Sequence, residues 1–146
     1  MPYRLALTVG EPAGIGADLT VMLAQQQHDH QIIAICDPGL LERRAKHLGQ
    51  NLSIKVFDGS DKQVAKAGEI LVHPIKLAQQ EVMGQLNKAN GQYVLDTLSH
   101  AAQGCLDGVY DAMVTAPVHK GIINEAGITF SGHTEFLEEY TKSERV

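Results

Sequence analysis

Cysteine is scarce in this sequence, and its pattern excludes a disulfide framework and a structural zinc site. The two cysteines, Cys36 and Cys105, fall in different predicted elements and form neither a CxxC motif nor a Cys/His cluster. Neither has an evident activating neighbour, and the sequence has no GxSxG motif, so nothing in it supports nucleophilic catalysis. We expect both thiols to be small core side chains.

Long apolar runs and an excess of positive charge are also missing. No run approaches the roughly 18 to 20 apolar residues that a membrane span requires, and the first residues lack the order of a signal peptide. The 12 Lys and Arg residues against 17 Asp and Glu give a formal net charge of -5, unlike the basic surface of a nucleic-acid-binding protein. We therefore expect no membrane or nucleic-acid partner and a cytoplasmic location.

The composition that is present is that of one globular domain. The 146 residues are enough to bury an apolar core, and with 44% hydrophobic and 20% charged residues they exclude disorder. Strands are predicted at 3–9, 32–36, 53–57, 69–73 and 112–116, and helices at 15–24, 40–48, 91–104, 118–126 and 134–141. This alternation predicts an α/β fold, in three α/β/α layers with a mainly parallel sheet.

Local signals refine these bounds. Leu19 and Met22 belong to an apolar set at helical spacing, which predicts an amphipathic first helix. The tripeptide Asp-Pro-Gly at 37–39 predicts a turn that ends the second strand. The polar stretch 58–68 predicts a loop, and the pattern of residues 75–87 is ambiguous.

Ligands of parallel α/β sheets gather at the carboxyl ends of the strands, where three segments of this sequence fall. The first segment, GEPAGIG at 10–16, links the first strand to the first helix, and its glycines let the backbone approach a ligand. It has neither the GxGxxG order nor the GK[ST] ending of a standard nucleotide loop, and Glu11 would repel a bare phosphate unless a cation intervenes. The alternative is a tight turn whose glycines only satisfy helix packing.

The second segment, TAPVHK at 115–120, also leads from a strand end into a helix, with Pro117 near the first helical position. His119 and Lys120 lie where substrates bind in such folds. A solvent-exposed lysine is the alternative interpretation.

The third segment is SGHTE at 131–135. Thr134 is expected to cap a helix, and His133 is expected to face an anionic ligand beside the N–H groups of the first turn. A hydrogen-bonded structural histidine is the alternative for His133.

The other histidines carry weaker signals. The tripeptide His-Asp-His at 28–30 offers metal ligands, but it lies in a polar loop without a third nearby ligand, which favours a solvated loop. His47, His73 and His100 show no partner pattern.

Four motifs in one order resemble the 4-hydroxythreonine-4-phosphate dehydrogenase family: GEPAGIG at 10–16, NGQY at 90–93, TAPVHKGIIN at 115–124 and GHTEFLEE at 132–139. The resemblance extends over residues 8–146 and covers about the amino-terminal half of the family's usual length. It implies that the chain is the amino-terminal part of a two-domain α/β/α enzyme, similar in fold to isocitrate and isopropylmalate dehydrogenases. It also implies a homodimer with its active site in the interdomain cleft.

The resemblance implies a reaction as well. Family members oxidise 4-phosphooxy-L-threonine with NAD or NADP to a 3-oxo acid, which decarboxylates to 3-amino-2-oxopropyl phosphate on the route to pyridoxal phosphate. A divalent ion, zinc, magnesium or cobalt, assists by stabilising the developing alkoxide. The family's metal-binding histidines and its other substrate and cofactor contacts lie beyond Val146, so this chain alone is expected to be inactive.

Within the chain, the resemblance implies roles for four residues. His133 and Thr134 match the family's substrate-binding pair. His119 and Lys120 match a family motif, and we hypothesise that they form the active-site wall or donate a proton.

Two alternatives stay open. One is a related dehydrogenase of another 4-phosphorylated hydroxy acid, such as threonate or erythronate 4-phosphate. The other is a non-catalytic fragment that binds a phosphorylated metabolite. If the molecule ends at Val146, an exposed sheet edge and a missing cleft partner predict poor solubility or self-association.

Overall fold

The computed structural model describes residues 2–60 and 63–144. Within these residues the strands are β1 (Arg4–Thr8), β2 (Gln31–Cys36), β3 (Ser53–Val56), β4 (Glu69–Pro74) and β5 (Ala112–Thr115). The α-helices are α1 (Gly16–Ala24), α2 (Pro38–His47), α3 (Gly91–Leu106), α4 (Lys120–Glu125) and α5 (His133–Thr141), and a 3-10 turn at Lys88–Asn90 precedes α3.

The described strands form one parallel sheet in the order β3-β4-β2-β1-β5. The connections from β1 to β2 and from β2 to β3 run in one direction across the sheet, whereas the connection from β4 to β5 runs in the other. Right-handed crossovers therefore place α1 and α2 on one face and α3 on the opposite face. The predicted α/β/α architecture with a parallel sheet is confirmed.

Alternating side chains of the central strand β2 supply the core on both faces. Ala34 and Cys36 belong to the apolar cluster that holds α1 and α2, whereas Ile33 and Ile35 pack in a second cluster with Ala101 of α3. Because β2 is covered on both faces, its sequence is a continuous apolar run.

Helix α1 forms where predicted, but a different side of it is buried. Leu19 and Met22 are 49% and 58% exposed, while Ala17 and Val21 are fully buried. Small residues face the sheet because the helix lies close to β1: a Cβ added at Gly16 would lie 1.8 Å from the carbonyl oxygen of Val9. The prediction that the larger apolar side chains form the packing face was wrong.

Two predicted boundaries also change. The tripeptide at 37–39 is the start of α2 and not a separate turn, because the Asp37 side chain caps the helix by accepting the Gly39 N–H at 2.8 Å. Helix α3 continues past Gly104 to Leu106. Gly104 is explained by packing, since an added Cβ would lie 2.3 Å from the Tyr110 ring.

The two long connections of the fold are residues 58–68 and 75–87. Residues 61–62 of the predicted loop at 58–68 lie outside the described residues, and the rest of that loop forms neither helix nor strand. The ambiguous stretch 75–87 is irregular apart from one isolated bridge between Val82 and Gln85. Among the described helices, none is long and apolar enough to cross a membrane.

The two cysteines have different environments. Cys36 is buried, as predicted, whereas Cys105 is only partly buried beside the cluster under α3. Burial raises the pKa of both thiols, and the charge of a nearby aspartate raises each further. A raised pKa keeps a thiol protonated near neutral pH.

Candidate functional site

The sheet has a topological switch point between β1 and β5. The chain leaves β1 toward α1 on one face, and it leaves β5 toward α4, which packs near α3 on the other face. Parallel α/β proteins bind ligands where neighbouring connections diverge in this way. The candidate site is therefore built from the glycine-rich loop (residues 10–16) and the β5–α4 loop (residues 116–119).

These two loops pack directly against each other. The Glu11 N–H donates to the carbonyl oxygen of Pro117 at 3.0 Å. Gly10 has a φ of 80°, and a Cβ added there would lie 2.3 Å from the same Pro117 oxygen. Contacts within the protein therefore account for Gly10 as well as Gly16. Gly14 is less crowded, since its nearest contact is 3.4 Å away.

The Glu11 side chain turns inward. It is 7% exposed, and its Oε1 accepts the N–H of Ala13 at 3.1 Å. Burial raises the pKa of the Glu11 carboxyl, while the hydrogen bond to Ala13 and the charge of His119 lower it. The sequence indicated only that Glu11 would repel a phosphate. The structure instead shows a buried carboxyl group at the switch point.

Two other parts of the chain hold the glycine-rich loop from outside. Arg44 of α2 donates from Nη2 to the carbonyl of Pro12 at 3.0 Å and from Nη1 to the carbonyl of Gly14 at 2.8 Å. The N–H of Gly84 donates to the carbonyl of Ala13 at 2.9 Å. Three successive carbonyl groups of the loop are therefore satisfied by protein donors.

The positions of His119 and Lys120 differ from the prediction. Helix α4 begins at Lys120, two residues later than expected, so Pro117 lies in the loop and not at the helix start. The reason is that His119 caps the helix, with its Nδ1 accepting the Ile122 N–H at 3.1 Å. An imidazole that accepts at Nδ1 carries its proton on Nε2 when neutral. The side chains of His119 and Lys120 are both exposed.

His133 is the first residue of α5 and lies against an aromatic ring. Its imidazole meets the Phe130 ring edge-on at 6.2 Å between centroids, and Phe130 is buried in the core. Burial lowers the pKa of His133, so the neutral imidazole is favoured near pH 7. Its Nε2 is inaccessible to solvent and has no hydrogen-bond partner among the described residues. An unpaired buried nitrogen of this kind is unusual and needs an explanation.

Thr134 does not cap α5. Gly132 occupies the N-cap position, and among the described residues no side-chain cap hydrogen bond is made to this helix. Thr134 lies inside the helix with an exposed side chain. The first-turn N–H groups of α5 are therefore left without a side-chain acceptor.

The structure joins some of the predicted site residues and separates others. The glycine-rich loop and the β5–α4 loop, which includes His119, are joined by the hydrogen bond between Glu11 and Pro117. Across residues 2–60 and 63–144, no hydrogen bond or ring contact joins His133 to these two loops. Both α4 and α5 pack on α3, which links the two places within the fold.

The histidines of the 28–30 segment have backbone partners. His28 Nε2 lies 2.8 Å from the carbonyl oxygen of Leu23, and His30 Nδ1 accepts the N–H of Tyr3 at 3.2 Å. In the part of the chain that the structure describes, no group of three or more His, Cys, Asp or Glu side chains is placed to hold a metal ion.

Sequence reasoning did not predict that two distant histidines would pack together. His73 of β4 and His100 of α3 stack face to face, with ring centroids 3.7 Å apart. The two residues are brought together by the packing of α3 on the sheet, so no short motif connects them. The burial of Arg44 and the inward orientation of the Glu11 side chain were also missed, because no short motif indicates them. The position of Arg44 among the apolar residues of its helix was an available signal.

The geometry defines a class of protein: a doubly wound parallel α/β domain with its candidate site at the switch point. The model of the family described as "Pyridoxal phosphate biosynthetic protein PdxA" matches residues 27–146. The chain therefore belongs to this family of pyridoxal phosphate biosynthetic proteins.

Similar proteins agree with this assignment. The chain is 50% identical over 144 residues to a 4-hydroxythreonine-4-phosphate dehydrogenase of Pseudoalteromonas translucida, covering 98% of the chain and 44% of that relative. It is 50% identical over 143 residues to the protein of that name from Vibrio cholerae, covering 96% of the chain and 43% of the relative. The chain thus spans less than half the length of these curated relatives.

Solved structures show the same fold. A 4-hydroxythreonine-4-phosphate dehydrogenase from Burkholderia phymatum matches with a TM-score of 0.88 and 26% identity, over 99% of this chain and 45% of that one. A dehydrogenase of the same name from Klebsiella pneumoniae matches with a TM-score of 0.83 and 22% identity, over 96% and 45%. At 22% identity, the second match supports the fold alone.

Proposed function

We propose that this chain is the amino-terminal part of a two-domain enzyme that oxidises 4-phosphooxy-L-threonine with NAD or NADP. The product, 2-amino-3-oxo-4-phosphooxybutanoate, would then lose carbon dioxide to give 3-amino-2-oxopropyl phosphate. The proposal is supported by relatives at about 50% identity that carry the name 4-hydroxythreonine-4-phosphate dehydrogenase. The whole enzyme is proposed to be a cytoplasmic homodimer.

The observation that carries the proposal is the start of α5. His133 has a buried Nε2 without a partner in the described part of the chain, and the first turn of α5 has no side-chain cap. A helix start of this kind favours an anionic, oxygen-rich ligand. We assign His133 and Thr134 to substrate binding: the imidazole of His133 and the hydroxyl of Thr134 would bond substrate oxygens.

His119 and Lys120 are proposed as catalytic residues at the switch point. In the neutral tautomer that its capping bond requires, His119 keeps a proton on Nε2. That N–H would be free to donate, since the Nδ1 bond fixes the orientation of the ring. Lys120, exposed at the first position of α4, would line the active-site wall.

The proposed reaction needs two groups besides the substrate, a nicotinamide cofactor and a divalent ion. When bound, the nicotinamide would accept the hydride from the substrate carbon. The glycine-rich loop has no dinucleotide fingerprint, so we assign no residue of this chain to that cofactor. For the divalent ion, proposed to be zinc, magnesium or cobalt, the described residues do not supply a ligand set, and we assign no step to it. Its ligands are proposed to lie beyond residue 146.

The proposed function is tested with a protein of the relatives' full length that contains this sequence. His133→Ala should raise KM for 4-phosphooxy-L-threonine roughly 10- to 100-fold, as expected for the loss of a hydrogen bond to a charged group, while kcat changes less. His47→Ala is the control, because His47 is an exposed histidine at the end of α2.

The same assay tests the two alternatives. Threonate and erythronate 4-phosphate should be oxidised with a lower kcat/KM than 4-phosphooxy-L-threonine. A higher value for either would replace the proposed substrate, and no oxidation of any of the three would leave the phosphometabolite-binding alternative. Unchanged kinetics of His133→Ala would remove the assignment of that residue.

A further inference from the structure

Arg44 is buried where an arginine is unexpected. It lies on the apolar side of α2 between Leu40, Leu41 and Ala45, and only 3% of it is exposed. A buried guanidinium is unfavourable unless nearly all of its donors are paired. Its partners are therefore informative about why this position is an arginine.

All of the partners that the structure gives Arg44 lie in the glycine-rich loop or just after it. Besides the carbonyls of Pro12 and Gly14, Nη1 contacts the Asp18 carboxylate at 3.1 Å. The planar guanidinium reaches these three acceptors at once, which a lysine ammonium on a flexible stem does not do with the same geometry. Arg44 thus connects α2 to the loop across 30 to 32 residues of sequence.

The loop that Arg44 holds carries Glu11. With the carbonyls of Pro12 and Gly14 drawn toward α2, the N–H of Ala13 is left to donate to the Glu11 carboxylate. The backbone of Glu11 is bonded to Pro117, two residues before His119. Each of these contacts depends on the shape of the loop, because Glu11, Pro12 and Gly14 are neighbours in one short turn.

We propose that Arg44 is a positioning residue of the switch-point site, which fixes the glycine-rich loop so that the Glu11 carboxylate stays turned inward and the Glu11 backbone stays bonded to the loop that carries His119. A loop fixed before the substrate binds does not have to be ordered during the reaction. The role in turnover rests on the proposed function. The control of Glu11 by Arg44 does not, and it is measurable without substrate.

The first test is the titration of Glu11 in the full-length protein, measured by NMR on 13C-labelled glutamate side chains and assigned with Glu11→Gln. Burial raises the pKa of Glu11, so loosening the loop should admit water and lower its titration midpoint. Arg44→Lys keeps the charge but loses the planar set of donors. We expect Arg44→Lys to lower the Glu11 midpoint.

Arg43→Lys is the matched control. Arg43 is the neighbouring residue of the same type, and its partner is Glu81, at 2.7 Å, and not the loop. The same chemical change at this position should leave the Glu11 midpoint at the wild-type value. An equal shift in both variants, or no shift in a folded Arg44→Lys protein, would overturn the proposal.

The second test is kinetic. Arg44→Lys should lower kcat roughly 100-fold, which is the loss expected when a catalytic group, here the imidazole of His119, moves by about 1 Å. The KM should change much less. A folded variant with a lower melting temperature but wild-type kcat and Glu11 midpoint would show that Arg44 is only structural. If the unmodified protein does not oxidise 4-phosphooxy-L-threonine, the proposed function fails, while the titration still decides the role of Arg44.

A measurement on the unmodified protein covers the case in which Arg44→Lys does not fold. The N–H groups of Glu11 and Ala13 both donate within the fixed loop, so their hydrogen exchange should be slow without any ligand. Exchange at the rates of an unprotected loop would contradict the proposal whatever the variants do.

Discussion

The imidazole rings of His73 and His100 stack face to face, with their centroids 3.7 Å apart and their planes inclined by 10°. The Nε2 of His100 also lies 2.8 Å from the hydroxyl of Tyr110. Burial lowers the pKa of both histidines, and a positive charge on His73 lowers that of His100 further. The fold therefore favours the state in which both rings are neutral.

This stack predicts a loss of stability in mild acid. An unfolded histidine titrates near pH 6.5, whereas the stacked rings titrate lower, so between these values the unfolded state binds more protons. The free energy of unfolding should fall as the pH drops below about 6.5 and level off below the folded pKa values. Urea unfolding at several pH values between about 7.5 and 5 measures this.

His73→Phe tests the origin of the effect. Phenylalanine keeps an aromatic ring against His100 but does not titrate, so the variant should lose less stability in acid than the wild type. His47→Phe is the control, because His47 is exposed and outside the stack. An identical pH dependence of wild type and His73→Phe would show that the stack is not its source.

Two glycines of the same loop should respond differently to alanine. Gly16→Ala should destabilise the protein by about 3 kcal/mol, because the added Cβ would lie 1.8 Å from the Val9 carbonyl oxygen and the backbone must shift. Gly14→Ala should change the free energy of unfolding by less than about 1 kcal/mol, since its nearest contact is 3.4 Å away. Urea unfolding of the pair checks this, and equal effects would contradict the packing explanation.

The capping bond of His119 allows stability and catalysis to be separated. His119→Ala removes the cap of α4 and should cost about 1 kcal/mol of stability, whereas His119→Asn supplies another good N-cap and should cost less. Both variants lose the Nε2 proton, so both should lower kcat of the full-length enzyme, by about 100-fold if that proton is donated during the reaction. Wild-type kcat in a stable His119→Asn protein would exclude the proton-donor role.

The sequence predicted the order of strands and helices because the strongest signals are local. The run Ile32 to Cys36 is apolar enough for a doubly covered strand, and glycine or proline marks the adjoining turns. The side of α1 that faces the sheet was not predictable from hydrophobicity, because small residues such as Ala17 pack more closely than Leu19 or Met22.

The candidate site was predictable in its place but not in its contacts. Strand ends followed by glycine or proline located both switch-point loops, since their position depends only on a parallel sheet. The contacts of Arg44 with the loop join residues that are 30 or more positions apart. The inward turn of Glu11 and the cap formed by His119 depend on backbone geometry, which no residue pattern specifies.

The most direct test of the proposed site is a crystal structure of the full-length protein with bound 4-phosphooxy-L-threonine. We expect a substrate oxygen about 3 Å from a ring nitrogen of His133, next to the first-turn N–H groups of α5. Substrate bound elsewhere, with that nitrogen hydrogen-bonded inside the protein, would contradict it.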